Sequence, residues 1–553
     1  MTDTRAGSDA HEAAGTGRRT VMRSPLSAVR GVWQRHGDLL GNAGSLVAST
    51  GVTSLLGVVY WAYAARVFSL RAVGFGSAAV SAMTLLGTIG MLGLGTLLIG
   101  ELPRRSRRAG LVAAALLVCG LGSLVLGVGF AVVAPHVSAR FEDMVGTPPR
   151  AALFAAGVVV TGVTLVFDQA TIGLMRGGLQ LWRNTIFSVA KLVTLPVAAM
   201  VLHDQFGVGI TLSWVVGMAL SLALVAVRVR HAGSAVLPRP EWGVLRGLGK
   251  TAMAHNWLNL AITMPVSLLP VLVTVIVSPS ANAAFYVATM LSAFLFIVPV
   301  HLATVLFAVV AADPQELVRK LRFALRLSYM IGLPGMAVLI LGSHLALSVF
   351  GKGYAAEATL PLCLMAAGYP PAVPKSLYIA VCRASGRISR AAAVLTTCST
   401  AEIAAACAGG LVYGLKGLSF ALLAVRYAEA LVTAPPVIRA AIGRGRHRAA
   451  SLAESTSRYP VREPAPRVRP QRPGVPVPAA RHQRPAYSPA LADPAQRDRQ
   501  QAGIAVLLSL ASFGSSTHPI PIIPDSLLRP PPPRPPPPRQ PAGAGRRRTW
   551  PDP

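Results

Sequence analysis

The sequence predicts an all-α polytopic membrane protein of about twelve transmembrane helices in two six-helix bundles related by a parallel repeat. Three observations carry this. Hydrophobic residues make up 53% of the chain and charged residues only 13%, where a soluble protein carries about 25% charged. Long uncharged runs alternate with short charged clusters, the pattern of segments in lipid rather than of disorder. Arg and Lys gather in every second connection, which sets the orientation of the spans.

Windows of about twenty apolar residues fall near residues 39–68, 73–100, 109–134, 151–175, 182–202 and 207–227, then near 248–277, 283–311, 325–350, 356–381, 390–413 and 417–441. Each is expected to be helical, because a helix satisfies its own backbone hydrogen bonds in hydrocarbon. Basic residues precede the first span (Arg18, Arg19, Arg23, Arg30, Arg35). They recur at Arg104 to Arg108, at Arg176 and Arg183, from Arg228 to Lys250, from Arg319 to Arg326, and from Arg383 to Arg390. The intervening connections hold only scattered cations such as Arg66, Arg71, Arg140 and Lys352. The alternation predicts that both termini lie in the cytosol.

The domain organisation follows. Residues 1–38 form a basic cytosolic segment, 39–227 the first bundle, 228–247 a cytosolic linker, and 248–441 the second bundle; 442–553 form a disordered Pro/Arg-rich cytosolic tail. A short echo supports the parallel repeat: Asn42 precedes Ser54-Leu55-Leu56-Gly57 much as Asn256 precedes Ser267-Leu268-Leu269-Pro270. The tail favours polyproline II or disorder and cannot bury a core.

A net charge of +31 raises nucleic acid as a partner. The tail alone holds eighteen Arg against six acids, and the other cations flank hydrophobic runs. No basic surface with interleaved aromatics is present, so the partner expected is the anionic bilayer and no nucleic acid. Cys119, Cys363, Cys382, Cys398 and Cys407 are scattered in apolar runs without metal-ligand spacing, so no metal site is expected. Gly247-Leu248-Gly249-Lys250-Thr251 imitates the end of a phosphate loop, but Val244 occupies the place of its first glycine and no strand precedes it.

The run Gly57 to Arg66, with Asn42, Val73-Gly74-Phe75-Gly76, Leu92-Gly93-Leu94-Gly95 and Leu102-Pro103, resembles the start of bacterial oligosaccharide flippases of the polysaccharide-biosynthesis type. So do Leu268-Leu269-Pro270, Asn282-Ala283-Ala284-Phe285-Tyr286, Pro299, Leu306-Phe307-Ala308 and Phe350 to Ala355. The resemblance spans residues 38–441. It reaches the wider superfamily of multidrug, oligosaccharidyl-lipid and polysaccharide exporters, which includes peptidoglycan-precursor flippases. It implies two six-helix bundles around a cavity open alternately to each side. It further implies a polyprenyl-diphosphate-linked oligosaccharide as substrate, polymerase or glycosyltransferase machinery as partners, and no enzymatic activity. His301 and Cys382 depart from the apolar residues expected there.

Ionisable groups inside spans are costly and by default mark a site. Asp168, Glu402 and Glu429 are the acids, candidates for coupling or gating with H+ or Na+ as the coupling cation; no other cofactor is expected. At 1.5 Å per residue, Asp168 and Lys191 lie about 10 and 12 Å from the cytosolic side, a match that permits an ion pair. Arg426, Lys191 and Lys375 are candidates for a substrate cavity, since a diphosphate needs fixed positive charge and Arg binds phosphate bidentately. His255, Asn256 and Asn259, opening the seventh span, are candidates for an inner vestibule. Arg66, at the outer end of the first span, is either a cavity residue or an interfacial anchor. Pro370, Pro371 and Pro374 interrupt the tenth span and predict a hinge or a passive kink.

Two rival functions stand beside the flippase. A cation-coupled multidrug extruder shares the architecture. A membrane glycan-transfer enzyme would need catalytic groups in a large outer loop, and the longest, Pro135 to Arg150, offers only His136, Glu142 and Asp143.

Overall fold

The computed structural model describes residues 54–104, 108–174, 176–202, 206–231, 240, 242–312 and 314–443. The basic N-terminal segment, Asn42, most of the linker, the Pro/Arg-rich tail beyond Gly443 and the side chain of His255 lie outside the described residues. All regular structure among the described residues is helical.

Helix α1 (54–67) leads into α2 (Leu70–Gly90) and α3 (Leu94–Glu101). There follow α4 (Ala109–Val137), the short α5 (Ala139–Val145), α6 (Pro148–Gly173), α7 (Gly177–Leu202) and α8 (Val208–His231). The second half holds α9 (Trp242–Ile276), α10 (Pro279–Ala312), α11 (Leu317–Leu341), the short α12 (Ser343–Ser348), α13 (Lys352–Ala367), α14 (Tyr369–Ala384) and α15 (Ile388–Ile442).

Nine helices among the described residues are long and apolar enough to cross a membrane. One of them, α15, is two passages: Tyr413 and Gly414 leave helical geometry, Gly414 at φ 59°, ψ −143°. The two arms double back, so that a Cβ on Gly409 would lie 2.4 Å from the Gly417 carbonyl oxygen. With α1 and the α13–α14 pair counted as one passage each, the passages number twelve, as the hydropathy windows predict.

The windows do not reveal the interruptions. The second passage breaks between α2 and α3, where Leu92 (φ 50°) and Gly93 (φ 75°) turn left-handed, a conformation costing a non-glycine residue about 1–2 kcal/mol. The tenth breaks at Gly368, ahead of Pro370 and Pro371 in the first turn of α14. Proline fits there because first-turn N–H groups lack helical partners anyway.

Helix α2 is the hub. Its sequence LRAVGFGSAAVSAMTLLGTIG is rich in Gly, Ala, Ser and Thr, small residues that let helices approach closely in lipid. It is buried nearly throughout and packs on α4, α6 and α8 of its own half and on α9 and α10 of the other. Three of its hydroxyls turn back onto the helix, Ser77 onto the Gly74 carbonyl, Thr84 onto that of Val80 and Thr88 onto that of Thr84. Aromatic residues fill the gaps beside it: Tyr60, Trp61, Phe75, Phe154 and Trp214 are at most 2% exposed.

Candidate functional site

Two clusters of charge lie within the helices, one in each half. In the second half Lys375 (α14) reaches both arms of α15. Its Nζ donates to Glu402 Oε1 at 2.6 Å and to Glu429 Oε2 at 2.7 Å. Both acids are buried, at 6% and 5% exposed. Arg426, one turn before Glu429 on the same arm, lies beside Gly368, where a Cβ would meet its Nη1 at 3.0 Å, and its guanidinium is 6.0 Å from the Phe296 ring centre. Its charge also acts on Glu402. Two carboxylates thus face two cations. Glu429 Oε1 is buried without a hydrogen bond among the described residues, which leaves the network one acceptor position for a proton or other cation.

The local sequence explains how these groups meet. The α15 hairpin sets Glu402 and Glu429 on adjacent antiparallel arms. The break at Gly368 reorients α14 so that Lys375, one residue past Pro374, projects between them. Lys375 and Arg426, expected beside substrate, and Glu402 and Glu429, expected to couple a cation, therefore form one network.

In the first half the expected pairing of Asp168 with Lys191 does not occur. Asp168 takes a bidentate contact from Arg183, Nε to Oδ1 at 2.9 Å and Nη2 to Oδ2 at 2.8 Å. The hydropathy window starts the fifth span near residue 182, whereas α7 begins at Gly177. The earlier start puts Lys191 fourteen residues into the helix, about 21 Å along it, and brings Arg183 level with Asp168.

Lys191 instead lies among rings. Its Nζ is 4.4 Å from the centre of Trp214, 4.6 Å from Phe187 and 4.8 Å from Tyr60, inside the range of cation–π attraction. The residue is 2% exposed, and no ion pair to it occurs among the described residues. Tyr60 is held in turn by Ser213, with 2.7 Å between hydroxyls, and Trp61 meets Tyr286 of the other half with ring centres 4.7 Å apart.

The remaining candidates disperse. Asn259 Nδ2 donates to Thr96 Oγ1 at 3.1 Å, tying α9 to α3, while Asn256 is buried with Oδ1 unpaired among the described residues. Arg66 caps backbone of the other half, donating through Nε to the Val349 carbonyl at 2.9 Å and through Nη2 to that of Ser348 at 3.3 Å. Pro370 presents its carbonyl to the Tyr329 hydroxyl at 3.0 Å, and Pro371 and Pro374 are buried. His301 and Cys382 are buried at 7% and 5% exposed. In the stretch expected as the longest outer loop, which is largely helical, Asp143 of α5 is paired with Arg71 at 2.9 Å and His136 of α4 bonds to the Val132 carbonyl. Sequence reasoning missed Arg183, Arg140, Asn282 and the ring cage. The cage draws its rings from three helices, which no spacing rule connects.

Residues 39–245 match the family model for polysaccharide biosynthesis proteins. The match covers the first half and resembles the sequence motifs found there. Among solved structures, the fold is shared with an inward-facing multidrug resistance MATE family transporter of the MOP superfamily, at 15% identity and TM-score 0.53 over 75% of this chain and 100% of that one. It is shared with a MOP superfamily transporter from Pyrococcus furiosus, at 14% identity and TM-score 0.50 over 77% and 99%. The lipid II flippase MurJ in an inward closed conformation follows at 11% identity and TM-score 0.50, over 71% of this chain and 90% of that one. No curated protein matches the chain. The chain therefore has the polytopic fold seen in MOP superfamily transporters, and its residues 39–245 match the polysaccharide biosynthesis family model.

Proposed function

We propose that the protein is a flippase carrying a polyprenyl-diphosphate-linked oligosaccharide from the cytosolic to the outer leaflet of the bacterial inner membrane, for cell-surface polysaccharide synthesis. The observation that carries this reading is Lys191, a buried cation with aromatic faces and no acid paired to it among the described residues. An unneutralised cation in the first half suits an anionic diphosphate and repels a cationic drug. The acid available to accept a cation there, Asp168, is already neutralised by Arg183. The polysaccharide-biosynthesis match over the same half supports the reading, as does a shared fold with a protein described as a lipid II flippase.

The chemistry needed is binding and motion, with no bond made or broken. The halves rock about the α2, α9 and α10 contact while the headgroup passes between them and the lipid tail stays in the bilayer. The network of Lys375, Glu402, Glu429 and Arg426 is the coupling element in this scheme. H+ or Na+ competes with Lys375 for the carboxylates, and the basic connections keep both termini in the cytosol. The partners would be enzymes that build or polymerise the glycan.

The test is a leaflet-resolved assay with purified protein in vesicles and a fluorescent polyprenyl-diphosphate oligosaccharide. Parent protein should flip it, and Lys191→Gln should reduce the rate at least tenfold. Failure of the parent to flip, together with dye extrusion from cells, would favour the multidrug extruder, whose fold is equally shared.

A further inference from the structure

Arg66 and Arg140 stand at the end of the bundle that the charge alternation places outside. Both belong to the first half and both grip backbone of the second. Arg140, in the first turn of α5, donates through Nη1 to the carbonyls of Thr274 and Val275, each at 2.8 Å. Arg66 holds the Ser348 and Val349 carbonyls. Those acceptors end α9 and α12. Terminal carbonyls of a helix lack partners within it and carry the negative end of its dipole, so a guanidinium suits both places. At the start of α10 Asn282 also crosses the halves, donating to the Gly74 carbonyl at 2.9 Å and to Ser77 Oγ at 3.0 Å. The halves cannot part at this end unless both guanidinium groups withdraw and Asn282 lets go.

Neither arginine is paired with a carboxylate among the described residues, whereas nearby Arg71 is paired with Asp143. A guanidinium bonded only to neutral carbonyls can exchange them for an anion, because bonds between two charged groups are shorter and stronger than bonds to a neutral acceptor. We propose that Arg66 and Arg140 form an anion-released latch: they hold the outer end shut by capping α9 and α12, and open it by transferring to a diphosphate. This rests on the anionic-headgroup reading above, and it assigns Arg66 a gating role beyond its place as a cavity candidate.

Ala78, one turn beyond Gly74 on α2 and 0% exposed, reports opening when changed to cysteine. The half-buried Cys363 and Cys407 are replaced by serine in the same background. In right-side-out vesicles, a membrane-impermeant maleimide should label position 78 slowly in this parent, and external potassium pyrophosphate, in sodium-free buffer, should accelerate labelling. Combining Arg66→Gln with Arg140→Gln removes four charge-assisted bonds; it should raise basal labelling at least about tenfold, the equivalent of one such bond, and abolish the pyrophosphate response. Arg140→Lys, which keeps the charge, should fall between. Thr96→Val, which removes the polar cross-contact to Asn259 near the opposite end, should leave labelling from outside unchanged and so reports on general loosening. The latch is overturned if the double variant labels like the parent, if Thr96→Val matches it, or if pyrophosphate has no effect on the parent. It is equally overturned if the response persists in the double variant. Because labelling does not depend on lipid-linked sugar, a protein that flips substrate yet ignores pyrophosphate would refute the latch and leave the flippase reading standing.

Discussion

Asn282 reaches across the two halves to the Gly74 carbonyl, at the point where α10 meets α2 so closely that a Cβ on Gly74 would fall 1.7 Å from the Pro279 carbonyl oxygen. Glycine is required there by space, since that distance is far inside van der Waals contact. Gly74→Val should force α2 and α10 apart and cost about 3 kcal/mol or more. Asn282→Ala should cost about 1–2 kcal/mol through its lost bonds. Thermal unfolding of purified protein should rank the parent above Asn282→Ala and Asn282→Ala above Gly74→Val.

Lys375 bridges Glu402 and Glu429, so its removal strands two buried carboxylates. Lys375→Met should destabilise by about 3–5 kcal/mol. The triple change Lys375→Met, Glu402→Gln and Glu429→Gln should recover most of that stability while transport stays lost. If the triple variant melts below the single one, the carboxylates are not held by Lys375.

The pairing of Asp168 with Arg183 rather than Lys191 can be read from a double-mutant cycle. Asp168→Asn and Arg183→Gln should couple by about 1–3 kcal/mol, and Asp168→Asn and Lys191→Gln should add independently. Strong coupling of the second pair in melting temperatures would contradict the geometry.

Lys191 carries a desolvation cost that the rings offset only in part. Lys191→Met, similar in volume, should leave the melting temperature unchanged or raise it, and in the leaflet assay it should lose flipping. A variant that is both less stable and fully active would assign Lys191 to packing.

Gly414 turns the α15 hairpin with φ 59° and ψ −143°, a backbone region closed to side chains. Gly414→Ala should cost about 1–3 kcal/mol and lower the yield of membrane-inserted protein; an unchanged yield and melting temperature would show the turn relaxing freely.

The passages were legible from the sequence because lipid leaves so few options. A run of apolar residues must be helical, and basic residues must alternate sides, so even the α15 hairpin is visible as two windows on either side of Tyr413-Gly414-Leu415-Lys416. Pro370 and Pro371 likewise announced the break in the tenth passage. The break at Leu92-Gly93 was hidden, since an isolated glycine in a glycine-rich apolar run does not by itself mark a turn. Ion partners were legible only in kind. Asp168, Lys191, Lys375, Glu402, Arg426 and Glu429 stood out as intramembrane charges, but depth along a helix depends on where it starts, and five residues of error exchanged Arg183 for Lys191. Phe187, one helical turn before Lys191, is within the reach of periodicity, but the packing that adds Tyr60 and Trp214 from two other helices, and joins Lys375 to both acids, is not encoded there.

The close approach of Gly409 to Gly417 makes the paired arms of α15 behave like the tines of a fork. Glu402 and Glu429 ride on different tines, and the ammonium of Lys375, mounted on a separate helix just past the Gly368 discontinuity, is the peg between them. Any tilt of α14 against the fork must therefore either carry both tines along or break both of its bonds.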